Sequence, residues 1–435
     1  MLAKEGMMKI VITSDTHFGD GTSQLAALDS GGNPGLGPKY PEFREACGKD
    51  NDYLVMLGDV IDVAIKDYKD AYNIAKVFYK QVAKDGIAKR ILYVPGNHDY
   101  DLWHAVEYQT NIIKRITEKR KKDISLFKMS VPAVLDDREG RAGSEIFLAN
   151  VTRRPDAQKP YGGLFLDYLA DNELEFYVAF PNVYLMTARK GCILMTHGQY
   201  FQQFWSLLSD YAPPIFGEKL EIGKPPLSIK NLAHLNFPLS QLSSSGVGQA
   251  GPLSDVIRDI QYEFKAHRSE TIAGYIDNLE KVLRKETLKW YNPYHWGIKL
   301  GIYLAKKEIK KWIAKRPESS PRKDEDWEYK PDTHRKMADY YKSCTLEIEG
   351  LNKASNLNIP ANPNVIIFGH SHRPIGINET GRLAIRPFED QSLKVPMFNT
   401  GGWLEDEEAG QKRFNGIELF TYETDKGINS IKIGG

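Results

Sequence analysis

Apolar residues along this chain gather in short runs that stop abruptly at polar ones. Ile91-Leu92-Tyr93-Val94 ends at Pro95-Gly96 and then presents Asn97, His98 and Asp99 without a spacer. Met8 to Ser14 (MKIVITS) leads to Asp15-Thr16-His17, and Tyr53 to Leu57 leads to Gly58-Asp59-Val60-Ile61-Asp62. Cys192 to Thr196 empties into His197, and Asn364 to Phe368 into Gly369-His370-Ser371-His372. An apolar run of four or five residues bounded by turn residues suits a buried strand better than a helix. Five of the ten histidines therefore stand at strand ends, where open α/β sheets place their chemistry.

Between these runs the period changes. Residues 66–85 carry Tyr72, Ala75, Val77, Phe78 and Val82 in a helical pattern, and 101–122 read as a second helix closing on the basic run Lys119 to Lys122, which suits a helix C-terminus. Residues 19–41 are too rich in glycine, proline and polar residues for regular structure. Short apolar runs at Ile146 to Leu148, Phe176 to Val178 and Tyr184 to Met186 predict more strands. From about 200 to 355 no strand-then-ligand unit occurs. Residues 213–251 hold prolines, glycines and a serine-rich patch, and helical patterns follow at 253–289, 294–316 and 325–355, with an exposed linker at 317–326 (PESSPRKDED). Strand character returns at Asn364 and runs through Val395 to Phe398 and Gly416 to Phe420. The expected organisation is a core of 1–200 and 359–435 interrupted by a mainly helical insertion or cap, 201–358.

Bulk properties narrow the field only a little. The chain has 435 residues, 41% hydrophobic and 26% charged, with a net charge of +1, so the whole molecule is not electrostatically committed to nucleic acid or membrane. Cys47, Cys192 and Cys344 are far apart and odd in number; they predict buried or free thiols in a reducing compartment. With no long apolar stretch before the first strand, and none near the roughly 20 residues needed to span a bilayer, the expected location is cytoplasmic, at most peripheral to a membrane.

The candidate ligands are Asp15, His17, Asp59, Asn97, His197, His370 and His372. A mixed oxygen and nitrogen set without thiolate suits Mn²⁺, Fe or Zn²⁺ better than Ca²⁺ or a structural thiolate zinc site. Seven ligands exceed one tetrahedral ion. Shared over two ions with a bridging carboxylate, they make a dinuclear site able to hold a hydroxide nucleophile and both ends of an in-line displacement at phosphorus.

The ordered set Asp15-x-His17, Gly58-Asp59-x-x-Asp62, Gly96-Asn97-His98-Asp99, His197 and Gly369-His370-x-His372 resembles the calcineurin-like metallophosphoesterases, over residues 7 to about 200 and about 360 to 435. That resemblance implies a two-sheet β-sandwich flanked by helices, in the α/β (α+β) class, rather than one doubly wound sheet. It implies that Asp15, His17, Asp59 and His372 hold one metal, that Asp59 bridges, and that Asn97, His197 and His370 complete the second, with Mn²⁺ the first choice of ion. His98 is then the proton donor to the leaving oxygen or the group that stabilises transition-state charge, oriented by Asp62. Val63 stands where the phosphoprotein phosphatases carry arginine, which argues against that branch. Gly369 to Pro374 and Phe398 to Trp403 also resemble the UDP-2,3-diacylglucosamine pyrophosphatases.

Three further readings concern single features. Asp99 is expected to cap the following helix. Arg373 is a phosphate contact or a structural ion pair. Residues 281–316 hold eleven basic residues against two acidic ones, interleaved with Trp290, Tyr291, Tyr294, Trp296 and Trp312; this is either a cap helix with a solvated lysine face or an interfacial membrane segment. The leading function is hydrolysis of a phosphoester or pyrophosphate, on a phosphorylated small molecule or a nucleotide- or lipid-linked substrate. The alternatives are a metal-dependent nuclease, with nucleic acid as partner, and a non-catalytic scaffold of the same fold.

Overall fold

The protein is seen here as a computed structural model, which describes residues 7–113, 116, 129–138, 145–148, 163–171, 173–202, 205–206, 208–210, 226–245, 327–355, 357–379, 383–388, 393–408 and 411–434. In chain order the elements are β1 (Lys9–Thr13), the hairpin β2 (Ala26–Leu28) and β3 (Pro34–Leu36), α1 (Tyr40–Cys47), β4 (Tyr53–Leu57), α2 (Tyr68–Asp85), β5 (Arg90–Val94) and α3 (Tyr100–Tyr108). There follow β6 (Ala133–Asp136), β7 (Glu145–Leu148), α4 (Gly163–Asp167), β8 (Glu175–Val178), β9 (Asn182–Met186), β10 (Cys192–Thr196), α5 (Ile229–Ser245) and α6 (Pro331–Ser355). The chain closes with β11 (Val365–Phe368), β12 (Pro374–Ile375), β13 (Ala384–Ile385), β14 (Val395–Thr400), the hairpin β15 (Glu405–Glu408) and β16 (Gln411–Phe414), β17 (Ile417–Glu423) and β18 (Gly427–Ile433).

Two main sheets result. One has the order β18-β17-β1-β4-β5-β8, and the other runs β12-β14-β11-β10-β9-β6-β7 with β13 also on β14. β1, β4, β5 and β8 pair in parallel, as do β10, β11 and β14. Strand alternation decides what each residue meets. Ile10, Ile12, Val55, Leu57, Leu92 and Val94 pack with Leu135, Val183, Leu185, Ile193, Met195 and Ile367 in one apolar layer between the sheets. The opposite face, Val11, Leu54, Met56, Ile91 and Tyr93, packs with Ile74, Phe78, Tyr79 and Val82 of α2. Burial on both faces explains why these strands read as unbroken apolar runs. Each such side chain contributes about 1.5–3 kcal/mol of transfer free energy. This is the two-sheet sandwich flanked by helices.

On the outer face of the second sheet lies α6, where the sequence pattern predicts a helix over 325–355. Tyr340, Tyr341, Cys344 and Ile348 are buried. The buried Glu347 accepts hydrogen bonds from Ser130 Oγ (2.6 Å), Tyr184 Oη (2.8 Å) and Asn182 Nδ2 (2.9 Å), so the helix is tied to the sheet by satisfied polar groups as well as by packing. Burial pushes the Glu347 carboxyl above its ordinary range, against the pull of those three donors.

Two stretches are more regular than their composition predicts. Within 19–41, β2 and β3 form a hairpin because Asp29 Oδ1 accepts from the backbone N–H of Gly31 and Asn33, both at 2.8 Å, which builds the turn. Within 213–251, α5 forms despite Pro238. Its neighbours hold it: Phe237 meets the Tyr100 ring edge at 5.8 Å, and Asn236 Oδ1 accepts from Leu208 N and Ser209 N. All three cysteines are buried and free, as expected. Among the described residues no helix is long and apolar enough to cross a membrane. The basic run at 119–122, the helical patterns at 253–289 and 294–316, the basic segment 281–316 and the linker 317–326 lie outside the described residues.

Phe78 carries much of the packing between α2 and the first sheet. Its ring lies 4.9 Å from Phe18, 5.2 Å from Tyr79 and 5.5 Å from Phe43. Replacing Phe78 by Ala is expected to destabilise the fold by about 3–5 kcal/mol, read as a lower urea midpoint by circular dichroism; an unchanged midpoint would contradict this packing.

Candidate metal centre

Parallel pairing brings every candidate ligand to one rim. Asp15 and His17 follow β1, Asp59 and Asp62 follow β4, and Asn97 and His98 follow β5, three parallel neighbours in one sheet. His197 follows β10, and His370 and His372 follow β11, parallel neighbours in the facing sheet. The loops then turn sharply. Asp15, His17, Asp59, His370 and His372 all adopt left-handed backbone, with φ of 51°, 46°, 50°, 70° and 57°. For non-glycine residues this costs of order 1–3 kcal/mol each and gathers at functional sites. Ladder-like bonds between loops hold the strain: Asp15 N–H to Gly58 O (3.0 Å), His17 N–H to Asp59 O (2.9 Å) and Gly369 N–H to His197 O (3.0 Å). Two glycines permit the approach. A Cβ on Gly96 would collide with Asp59 and the His197 ring, and one on Gly369 with Ser14 and Asp15.

The side chains converge as two sets. Asp15, His17, Asp59 and His372 bring one ligand atom each within 4.8 Å of one another, and so do Asp59, His197 and His370. In the first set His17 Nε2 lies 3.0 Å from His372 Nε2, and His372 Nε2 lies 3.2 Å from Asp15 Oδ1. In the second, His197 Nε2 lies 3.1 Å from Asn97 Oδ1, 3.2 Å from His370 Nδ1 and 3.3 Å from Asp59 Oδ2. Atoms bound to one ion at about 2.0–2.2 Å sit roughly 3–3.5 Å apart, so both sets have the spacing of a coordination shell. Asp59 Oδ2 also lies 3.9 Å from His17 Nε2, which puts one oxygen on the side of both sets. The donors are imidazole, carboxylate and amide, the chemistry of a first-row divalent ion.

The outer partners fix ring orientation. Asp62, expected to orient His98 alone, holds two rings. Its Oδ1 meets His98 Nδ1 at 2.9 Å, and its Oδ2 meets His17 Nδ1 at 2.7 Å. His197 Nδ1–H donates to Leu57 O at 2.8 Å. In both His17 and His197 the outer bond leaves Nε2 with its lone pair toward the centre. His370 Nε2 lies 3.1 Å from Gln202 Oε1, a contact no sequence motif announces.

Asp99 corrects an expectation. It occupies the position before α3, but its side chain makes no cap bond. Instead Oδ2 accepts from Tyr93 Oη (2.5 Å) and Val60 N–H (2.9 Å), and Oδ1 from Gly96 N–H (2.5 Å) and Asp59 N–H (3.3 Å). The carboxylate thus clamps the Asp59 loop to the Asn97 loop. Arg373 lies at the rim, its Nη1 3.7 Å from Glu328 Oε2.

The charges follow from the geometry. Burial opposes ionisation of Asp15, Asp59 and Asp62, yet the surrounding histidines hold all three below the ordinary carboxylate range. Burial likewise lowers His17, but Asp15 and Asp62 raise it well above the ordinary 6.5. His197, buried beside Asp59, is raised to about 9. His370 goes the other way, pushed down to about 3 by burial and the neighbouring His197. His98 is raised, because Asp62 and Asp59 outweigh its burial.

Protons on His17 and His197 compete with a cation for the same lone pairs. His197, raised to about 9, is protonated at pH 7 in the metal-free site, and the upward shift of His17 by Asp15 and Asp62 favours its protonated form in the same way. Manganese titration at pH 6 and pH 8 is therefore expected to give tighter binding at pH 8, with protons released at pH 7. Calorimetry in buffers of different ionisation enthalpy reads both, and equal affinity with no proton release would contradict this electrostatic picture.

Among curated proteins no match to this chain is found. Residues 8–210 match the family model for calcineurin-like phosphoesterases, a span that includes Asp15, His17, Asp59, Asn97, His98 and His197. His370 and His372 lie beyond that span and reach the same rim through β11. With residues 8–210 matched to that family model and a buried aspartate–histidine cluster able to hold metal ions, this chain carries a calcineurin-like phosphoesterase domain, which marks it as a phosphoester-hydrolysing metallophosphoesterase.

Proposed function

We propose that this chain hydrolyses a phosphoester or pyrophosphate bond with two divalent ions, Mn²⁺ the first choice and Fe or Zn²⁺ the alternatives. Asp15, His17, Asp59 and His372 would hold one ion, and Asp59, Asn97, His197 and His370 the other. The observation that carries the reading is the placing of Asp59 Oδ2 beside both donor sets, which suits a bridge. When bound, two such ions polarise the phosphoryl oxygens and lower the pKa of water enough to supply a nucleophile near neutral pH.

The chain's own groups do the rest. Water adds to phosphorus and releases a proton to solvent, the bond to the leaving oxygen breaks, that oxygen takes a proton from His98, and His98 is reprotonated from solvent. Asp62 Oδ1 accepts from His98 Nδ1–H, so the proton given up is the one on Nε2. A raised pKa keeps His98 protonated above the ordinary 6.5, as a general acid requires. Its side chain is 31% exposed, whereas Asp62 is 1% exposed; the acid can meet a substrate while its orienting carboxylate is out of reach. Arg373, at the rim beside His372, is the proposed contact for a further phosphate oxygen or linked group.

For the substrate we favour a nucleotide- or lipid-linked phosphate. The support is the Gly369 to Pro374 sequence and the basic, Trp- and Tyr-rich stretch 281–316, part of a proposed insertion at 201–358 between two halves of the catalytic core.

The test is a pair of variants assayed with Mn²⁺ on an aryl phosphodiester and a panel of monoesters and pyrophosphates. His98→Ala is expected to keep its metal content and lose about 10²–10⁴-fold in turnover, together with the fall in rate on the alkaline side. Asp59→Asn is expected to lose both metal and activity. A metal-replete His98→Ala with wild-type turnover would remove the acid from the mechanism.

A further inference from the structure

Each candidate ligand histidine whose outer nitrogen is accounted for uses a different kind of partner. His17 leans on the Asp62 carboxylate and His197 on the Leu57 carbonyl, both supplied by the β4 strand and its loop. His370 leans on Gln202 Oε1, at 3.1 Å. Gln202 belongs to the segment that leaves the sheet after β10, one residue beyond the short 3₁₀ turn Gln199–Phe201. The turn is firmly seated. Phe201 packs edge-on to Phe368 at 5.4 Å and to Tyr340 of α6 at 5.2 Å, and Gln202 N–H donates to Gln199 O at 3.1 Å.

From these contacts we propose that Gln202 is a positioning residue for His370, and through it for the ion shared with Asp59, Asn97 and His197. This rests on the dinuclear reading above. An amide oxygen can only accept, so the 3.1 Å contact places the proton of neutral His370 on Nε2. Nδ1 then keeps its lone pair, and Nδ1 is the atom that faces His197 Nε2 at 3.2 Å. Without that acceptor the ring is free to take the other tautomer, which would put N–H where the cation belongs. Trp327 closes the arrangement: its ring meets the His370 ring edge-on at 6.1 Å, and the next residue, Glu328, is the ion-pair partner of Arg373. The His370 loop is thus held from two directions by chain outside the strand ends, by Gln202 before the long connection and by Trp327-Glu328 after it.

The role separates from simple structural support because it predicts an effect on one ion only. Outer partners of metal-bound histidines are worth roughly 10–100-fold in metal affinity. Manganese binding would be followed by calorimetry and by electron paramagnetic resonance, which distinguishes a spin-coupled pair from an isolated ion. Wild type is expected to take up two ions and show the coupled spectrum. Gln202→Ala is expected to weaken one binding step by about 10–100-fold, leave the other unchanged and show the isolated-ion spectrum at manganese concentrations that saturate wild type. Gln202→Glu, which keeps an acceptor, is expected to restore the coupled spectrum. In metal-free protein, ¹⁵N shifts of His370 are expected to show the Nε2–H form in wild type and a mixture in Gln202→Ala. Two tight ions and an unchanged His370 tautomer in Gln202→Ala would overturn the role of Gln202. A wild type that bound fewer than two ions would instead overturn the dinuclear reading, and that result is seen before any variant is made.

Discussion

Asp15, Asp59, Asp62, His17 and His197 are buried in one small volume, with His98, His370 and His372 half-buried beside them. Asp15, Asp59 and Asp62 have almost no access to bulk water. Three buried negative charges repel one another strongly unless positive charge lies among them. Imidazolium protons or divalent cations are the two ways to meet that requirement, and the ring nitrogens are placed to serve either. The sandwich supplies the rigidity. Parallel β1, β4 and β5 deliver the carboxylates, parallel β10 and β11 deliver imidazoles from the facing sheet, and left-handed backbone at five ligand positions turns the side chains inward.

That strained geometry has to be over-determined to survive. Asp99 joins the Asp59 and Asn97 loops through three backbone N–H groups and a tyrosine hydroxyl. Ser14 donates to Asp15 and shares a 2.5 Å contact with Thr400, while Asn399 Nδ2 donates to Gly369 O. Support also comes from α6. Tyr340 Oη donates to Asn182 Oδ1 at 2.7 Å and meets Thr196 Oγ1 at 3.1 Å, one residue before His197. A helix on the outer face of the second sheet is thereby linked to the strand end that carries a ligand.

Much of this was legible in the sequence because the information is local. An apolar run that ends at aspartate or histidine, in three of five cases through a glycine, says both strand and site; the five units placed the rim, and the family resemblance of their ordered set implied the sandwich. What was not legible is whatever depends on long-range neighbours. Asp62 was expected to hold one histidine and holds two, because His17 arrives from β1. Asp99 has the position of a helix cap, directly before the helix beginning at Tyr100; only the parallel pairing of β4 with β5 brings the N–H groups of Asp59 and Val60 within its reach. Gln202 carries no motif and becomes visible only once β10 and β11 lie side by side. The α5 helix hid behind Pro238, and the β2–β3 hairpin behind its glycines, because tertiary contacts and one aspartate turn outweighed local propensity.

Two cations between these strand ends, sharing Asp59, are what the whole arrangement is proposed to hold. Crystals soaked in manganese and measured at the manganese absorption edge test this most directly. Two anomalous peaks are expected about 3.5–4 Å apart, one among Asp15, His17 and His372, the other among Asn97, His197 and His370, with Asp59 between them. A single peak, or peaks away from these side chains, would contradict the account.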